Sequence, residues 1–454
     1  MKKQWITPFG LPIYFFAATI FIGAGLLHLP SSSLQPGSVS WMNALFTATS
    51  ATCVTGLAVL PTSAFSLFGQ SVILFLIQLG GLGIMTYTSL VFYLWRKRIS
   101  IMDRLAVGQS LLHDPTFHLG SFLKQLVLVC FCIELVGALA LLAFDPLRFA
   151  PFSAFFHSIS AFCNAGFSLF DSSLMYWQND WGVNMVFMLL IVLGGVGFSV
   201  LIDILQTLPS RLQRQCSRAK KRRLAWQSSV VLRTSLFLIL LGWGAIVLAE
   251  FHGNEGRSLW SGAHLLTALF QSVSSRTAGF NTVNIGTMTN ISLIVLLALM
   301  LVGGSPGSCA GGIKTTTFRT IIAFAWSQLV GRRQVVINGQ ALEENSVNKA
   351  LILLIMAVVM VVTATLLLSI TEGGNLPHPE MRGQFLEILF EVISAFGTVG
   401  LTTGLTPELT GPGKGIIMVL MFVGRLGPIA FLAIIQGWQT RERFSRPERS
   451  MLIG

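Results

Sequence analysis

Long apolar runs separated by short polar connections dominate the chain, falling near residues 11–29, 69–95, 125–144, 183–205, 230–249, 290–303, 349–370 and 415–436. A helix needs about 20 apolar residues to cross a hydrocarbon core about 30 Å thick. Of these runs only the one beginning at 290 is cut short. Between them lie shorter, half-apolar segments. Residues 41–51, for example, offer some eleven residues, or roughly 16 Å of helix at about 1.5 Å per residue. Such a segment enters a bilayer and must return. Irregular backbone at membrane depth is tolerated only where protein buries it or where it lines a water-filled path. The pattern predicts an all-α polytopic membrane protein with re-entrant turns.

Both kinds of segment belong to one repeated unit: an apolar helix, a shorter half-apolar helix, a polar glycine turn and a second apolar helix. Its clearest letters are Phe46…Ser50, Phe156…Ser160, Phe270…Ser274 and Phe390…Ser394. The turns that follow read Thr52-Cys53-Val54-Thr55-Gly56-Leu57, Phe162-Cys163-Asn164-Ala165-Gly166-Phe167, Ser275-Arg276-Thr277-Ala278-Gly279-Phe280 and Phe396-Gly397-Thr398-Val399-Gly400-Leu401. The turn glycine follows the Phe by ten residues in units one, two and four and by nine in unit three, which has lost a position. Further glycines, Gly80, Gly194, Gly303 and Gly424, follow the turn glycines by 24, 28, 24 and 24 residues. Small residues there also let membrane helices pack closely. The repeat boundaries are placed at 1–104, 105–224, 225–335 and 336–454.

Composition agrees with the membrane assignment: 53% of residues are hydrophobic and 11% charged, against about 25% charged in ordinary globular chains. The mean hydropathy is +0.72. Lys2 and Lys3 before the first run resemble a signal peptide, but a small-residue cleavage site is missing, so the run is kept as a helix. The net charge of +12 would suggest nucleic acid in a soluble protein. Here the basic residues cluster at 96–104, 211–223, 332–333 and 441–449. The positive-inside rule places those connections and both termini in the cytoplasm. Nucleic acid is not an expected partner. The opposite connections carry Asp145, Asp171, Asp180, Glu250, Glu255, Glu372, Glu380, Glu387, Glu391 and Glu408 against Arg148, Arg257, Arg276, Arg382 and Lys414. An acidic outer face raises the local cation concentration.

Four re-entrant turns around one axis make a ring of backbone carbonyls, which replace a cation's water shell without adding fixed charge. Glycine permits the φ > 0 geometry that turns a carbonyl inward, and the short helices aim their negative dipole ends at the ion. The hydroxyls of Thr52, Thr55, Thr277 and Thr398 are expected to hold the turns. The turns themselves contain no acid, which suits a monovalent ion. The expected ion-binding residues are Val54, Thr55 and Gly56; Asn164, Ala165 and Gly166; Thr277, Ala278 and Gly279; and Thr398, Val399 and Gly400.

These turns and spacings resemble, over essentially the whole chain, the membrane subunit of the Ktr potassium transporters in the Trk/Ktr/HKT superfamily. The resemblance implies four M1–P-loop–M2 repeats with pseudo-fourfold symmetry around a central K+ pore, with Gly56, Gly166, Gly279 and Gly400 as the filter signature. A Ser in place of the first glycine favours Na+ in that family, so Gly56 argues for K+. It further implies a homodimer in the cell (inner or plasma) membrane, resting on a ring of cytoplasmic nucleotide-binding regulatory subunits (KtrA-like). K+, and Na+ as a possible coupling ion, are cargo, and any nucleotide sits on the partner. The basic segments at 211–223 and 441–449 would face that ring or anionic lipid of the bilayer. The missing residue in unit three and the presence of Arg276 depart from a regular ring.

The second helix of unit three runs into Gly303, Gly304, Ser305, Pro306, Gly307, Ser308, Cys309, Ala310, Gly311 and Gly312, then Ile313 and Lys314. Ten residues with five glycines and a proline cannot continue a helix. A phosphate-binding loop is excluded by spacing and by the apolar surroundings. The resemblance assigns this stretch to an intramembrane loop that gates the pore; the plainer reading is a packing break. Arg425 lies mid-helix in unit four, level with Gly81 and Gly195. A charge at the bilayer centre costs about 2.5–3.5 kcal/mol on insertion scales, and the unpaired carbonyls of residues 303–312 are its expected acceptors. Glu134 is a second intramembrane ionisable residue, with no partner named by the sequence.

Competing readings are a Na+-permeable or weakly selective channel of the same fold, and a secondary transporter with a midplane site at broken helices. Four repeats with re-entrant turns count against the transporter. An enzyme finds no support: His157 and His264 read as loop or interface histidines. The six cysteines, Cys53, Cys130, Cys132, Cys163, Cys216 and Cys309, lack zinc spacing and read as small buried residues.

Overall fold

The computed structural model describes residues 11–35, 37–83, 119–207, 224–253, 262–373, 377 and 383–427. Outside them lie the basic clusters at 96–104, 211–223 and 441–449, the distal parts of the runs 69–95 and 415–436, Cys216, Glu255, Arg257, Glu380 and Arg382.

The described chain is helical apart from turns and one small hairpin. Unit one contains α1 (Leu11–His28), α2 (Trp41–Thr52) and α3 (Leu67–Gly81). Unit two contains α4 (Leu119–Phe144), α5 (Pro151–Phe162), α6 (Trp181–Val196) and α7 (Phe198–Thr207). Unit three contains α8 (Trp226–Gly253), α9 (Gly262–Ser274), α10 (Asn290–Leu301) and α11 (Thr315–Leu329). After the antiparallel pair β1 (Val336–Ile337) and β2 (Gln340–Ala341), unit four contains α12 (Glu344–Gly373), α13 (Gln384–Gly397) and α14 (Gly411–Leu426).

Among the described residues, three helices are long and apolar enough to cross a membrane: Gln125–Phe144, Trp226–Glu250 and Glu344–Gly373. Large apolar side chains on their outer faces, such as Leu128, Phe131, Leu240 and Ile355, stand exposed. In water such a surface would be a liability; in a bilayer it meets lipid.

Local chemistry starts each second helix in the same way. Ser66, Asp180, Thr289 and Thr410 stand at the N-caps of α3, α6, α10 and α14, and each side chain accepts from the backbone N–H three residues on. Such a cap contributes about 1 kcal/mol. In three units an acid near the end of the first helix bonds to the start of the second helix or, in unit two, to the turn that precedes it. Glu250 accepts from the Thr289 N–H at 3.2 Å and the Ser292 hydroxyl at 2.6 Å, and Glu372 from the Thr410 hydroxyl at 2.7 Å. Asp145 accepts from the Trp177 indole at 2.9 Å. The outer carboxylates expected to draw cations thus also clamp the helix tops together.

Within each unit the three kinds of helix pack on one another, and each second helix also packs on the short helix of the next unit. The pairs are α3 on α5, α6 on α9, α10 on α13, and α14 back on α2. The last contact closes the circle. The short helices are the most buried elements, with Phe46, Phe156, Phe270 and Phe390 fully enclosed.

The run 183–205 reads as a continuous apolar span, yet α6 and α7 meet at an angle of 104°. The bend is at Gly197, whose φ is +99°, a geometry open to glycine and strained for other residues. Broken second helices therefore occur in units two and three, and not in unit three alone.

Candidate ion pathway: a ring of turns above an intramembrane loop

The short helices have 12, 12, 13 and 14 residues, about 18–21 Å long, and stop beside one another. After each the backbone adopts the same alternation. Val54, Asn164, Thr277 and Thr398 have φ of 56°, 59°, 74° and 50°, and two residues on, Gly56, Gly166, Gly279 and Gly400 have φ of 96°, 70°, 77° and 91°. Positive-φ residues alternating with negative-φ ones turn successive carbonyls toward one side, as a ring of oxygen ligands requires.

The glycines also touch around the circle. A Cβ built on Gly56 would meet the Gly166 Cα at 3.1 Å, one on Gly166 the Gly279 Cα at 3.0 Å, one on Gly279 the Gly400 Cα at 3.3 Å, and one on Gly400 the Gly56 Cα at 2.9 Å. The same four Cβ positions face the carbonyl oxygens of Ala165, Ala278, Val399 and Thr55. Side chains have no room in this ring.

The turns are held by serine and not, as expected, by threonine. The Ser50 hydroxyl accepts from the Gly56 N–H at 3.1 Å and the Ser394 hydroxyl from the Gly400 N–H at 3.1 Å. Ser160 donates to the Phe167 carbonyl at 2.7 Å and Ser274 to the Phe280 carbonyl. The hydroxyls of Thr52, Thr55, Thr277 and Thr398 are buried with no protein partner. The serine lies one turn further back in the helix, where its short side chain spans the bend.

The missing residue of unit three is absorbed locally. The N–H groups of Thr55, Ala165 and Val399 bond to Ser50, Ser160 and Ser394 five residues back, whereas Ala278 bonds to Ser274, four back. Gly279 still reaches the common φ.

A second column of positions also lines up across the four units. The residue after each repeat Phe is polar and buried: Thr47, His157, Gln271 and Glu391. In units two to four it ties the short helix to the chain leaving the turn. His157 Nε2 bonds to the Ser168 hydroxyl at 3.1 Å, Gln271 reaches Thr282 at 3.5 Å, and Glu391 accepts from the hydroxyls of Thr402 and, at 2.8 Å, Thr406. His157 is therefore no loop histidine but lies within α5, and His264 lies inside the first turn of α9. Glu391 belongs to the buried frame behind the ring and not to an outer connection. The available signal was the position itself, one residue after a fourfold-repeated Phe.

The glycines of the second helices take the close approach that makes this packing possible. A Cβ on Gly80, Gly194 or Gly424 would fall on the carbonyl oxygen of Thr52, Phe162 or Phe396, at the end of its own unit's short helix. Gly303 instead faces Gly311 and Thr277, because its helix has already ended.

Residues 303–314 fill the space beneath the ring and bond to every unit. Val302 and Ile313 form an isolated parallel bridge that closes the loop at its base. The loop N–H groups of Ser305 and Cys309 donate to the carbonyls of Gly195 and Gly194 at 3.0 and 3.2 Å, and the Phe198 N–H returns a bond to Gly307 at 3.0 Å. The bend at Gly197 frees those groups. The Cys309 thiol donates to the Gly81 carbonyl at 3.0 Å. Lys314 Nζ donates to the Ala310 carbonyl at 2.6 Å, and the hydroxyls of Ser305 and Thr315 are 3.0 Å apart. Gly311 lies against the Thr398 side chain. Arg425, from unit four, donates to the carbonyls of Cys309 and Gly80.

Two further ionisable groups sit nearby. Glu134 accepts from the Gln78 amide at 3.1 and 3.2 Å, which supplies the partner missing from the sequence. Arg276, expected in an outer connection, is buried and donates to the carbonyls of Ser235 at 3.1 Å and Gly303 at 3.0 Å. Its backbone belongs to the third turn, but its side chain runs behind the ring to the break below. Cys53, Cys130, Cys163 and Cys309 are buried as expected, whereas Cys132 is exposed.

The cation transport protein family TrkH matches residues 7–436. The chain belongs to that family. It is a transport protein, not an enzyme, with a multi-pass membrane fold. The Ktr system potassium uptake protein B of Bacillus subtilis (strain 168) is 39% identical over 444 residues, covering 94% of this chain and 93% of the relative. The potassium/sodium uptake protein NtpJ of Enterococcus hirae is 34% identical over 457 residues, covering 98% and 97%. Among solved structures, the potassium transporter TrkH from Vibrio parahaemolyticus superposes with a TM-score of 0.72 at 19% identity, over 96% of this chain and 87% of that one. That likeness extends the family assignment to the fold.

Proposed function

We propose that the protein takes up K+ through the ring of turns, with residues 54–56, 164–166, 277–279 and 398–400 as a selectivity filter of pseudo-fourfold symmetry. The observation that carries this reading is the repeated pair of left-handed residues, Val54/Gly56, Asn164/Gly166, Thr277/Gly279 and Thr398/Gly400, closing into a circle. Carbonyl dipoles replace the water shell of a monovalent ion there. The loop 303–314 is the gate, and Arg425 latches it while adding positive charge under the filter. The names of the potassium uptake relatives support K+ as cargo. Their description as a uptake system supports a multi-component assembly, which we take to be a homodimer on a ring of cytoplasmic nucleotide-binding regulatory subunits, with both termini cytoplasmic.

The test is rescue of growth and K+ uptake in cells lacking K+ transport, with and without a co-expressed regulatory subunit. Absence of uptake in both arms from a protein that reaches the membrane removes the reading. A second reading, Na+ permeation or Na+ dependence, is favoured by the potassium/sodium relative. Uptake in the presence and absence of Na+, with tracer Na+ followed in parallel, separates the two.

A further inference from the structure

Beyond the loop, α11 runs to Leu329, after which the chain turns back through β1 and β2 into α12. This corner is a packed structure. Val230, Ala323, Val335, Ile337 and Val347 form a small core within it, and the Trp226 indole donates to the Ile337 carbonyl at 3.1 Å. A cavity of about 360 Å³ opens on its flank, walled by Arg319, Ile322, Trp326, Ser327, Arg332 and Val336.

The wall has two chemistries. Arg319 and Arg332 bring two guanidinium groups with no carboxylate in the lining. Among the described residues neither has a side-chain hydrogen bond or an ion pair. Ile322, Trp326 and Val336 form an exposed apolar half. Trp326 lies eleven residues into α11 from Thr315, about 16 Å along the axis. That matches the half-thickness of a hydrocarbon core of about 30 Å when measured from a loop at mid-membrane. Tryptophan concentrates at that boundary, and basic pockets between membrane helices there bind anionic headgroups.

We propose that this corner seats an anionic phospholipid, its phosphate at Arg332 near the end of α11, reached from the inner side by the long side chain of Arg319, and the start of an acyl chain running inward along Trp326 and Ile322. Soluble phosphate would satisfy the guanidinium groups but leave the apolar half facing water. The site stands apart from the ion pathway and does not depend on which cation is carried.

The full chain is reconstituted in phosphatidylcholine vesicles with or without phosphatidylglycerol, using brominated forms of either lipid as quenchers. The contribution of Trp326 is the fluorescence difference from Trp326→Phe. Brominated phosphatidylglycerol is expected to quench Trp326 more than brominated phosphatidylcholine at equal mole fraction. Arg319→Gln or Arg332→Gln weakens that preference about fivefold, on the scale of one basic group near an anionic surface. Arg333→Gln, exposed but outside the cavity, leaves it unchanged. Equal quenching by both lipids overturns the proposal, as does an equal loss in Arg333→Gln, which would mean general surface attraction. Removal of the preference by added inorganic phosphate overturns the lipid assignment in favour of a soluble anion. So does its removal by a bound cytoplasmic protein in favour of a docking surface.

Discussion

A Cβ on Gly56 would land on the Ala165 carbonyl oxygen and 3.1 Å from the Gly166 Cα. Substitution there displaces a carbonyl of the neighbouring unit, in addition to straining a φ of +96°. Gly56→Ser is therefore expected to raise Na+ permeation relative to K+, measured as the ratio of tracer fluxes in vesicles; an unchanged ratio would remove Gly56 from the filter. A purely structural glycine behaves differently. At Gly194 a Cβ would overlap the Phe162 carbonyl, while at Gly25 it meets nothing within 4 Å. Gly194→Ala should cost about 1–3 kcal/mol, the usual price of overpacking, and Gly25→Ala within about 0.5 kcal/mol. Thermal unfolding of the purified variants tests that order. Ser394→Ala removes the acceptor for the Gly400 N–H, worth about 1 kcal/mol, and should loosen selectivity. Thr398→Val, whose hydroxyl has no protein partner, should leave stability nearly unchanged. If the two variants melted alike, serine would not be the residue that holds the turn.

Elements divide into those the sequence announces and those it conceals. The short helices were legible because length and repetition agreed: Phe, Ser and Gly recur at fixed offsets, and a segment too short to span must re-enter. The break after Val302 was legible from five glycines and a proline. The break at Gly197 was not, since a single glycine in an apolar run leaves the hydropathy pattern intact. Only the loop docking against it, through the carbonyls of Gly194 and Gly195, explains why the helix stops. Arg276 was misplaced for a related reason. Its backbone position in a turn suggested an outer connection, while a long side chain reached inward to the Gly303 carbonyl. Arg425 draws its meaning from both breaks, because it bonds to Cys309, whose N–H and thiol engage units two and one. Hydrogen bonds from a charged donor contribute about 1.5–3 kcal/mol each. Arg425→Gln should therefore raise K+ flux in the absence of regulatory subunits by one order of magnitude or more, since about 1.4 kcal/mol corresponds to tenfold in an equilibrium. Flux equal to the parent would mean that the loop is held by other contacts.

At the scale of the whole molecule, circular packing decides which face each connection takes. The chain between α4 and α5 lies on the side to which the turns open, and Leu147 within it is 95% exposed. The hairpin after α11 lies at the other end, beyond the loop, with Asn338 exposed at its tip. In the orientation proposed above, with the hairpin end in the cytoplasm, K+ would meet the acidic connections first and the loop last. Single cysteines at these two positions separate the faces cleanly. Cys53, Cys130, Cys163 and Cys309 are buried, and Cys132 lies on a lipid-facing helix surface, which keeps background labelling low once Cys216 is replaced. A membrane-impermeant thiol reagent added to intact cells is expected to modify Leu147→Cys and to spare Asn338→Cys until the membrane is opened. The reverse pattern would invert the protein in the membrane: ions entering from outside would then meet the loop before the filter, and Arg425 would repel them at the mouth. Labelling of both positions in intact cells would contradict a chain whose four units all return to the same side.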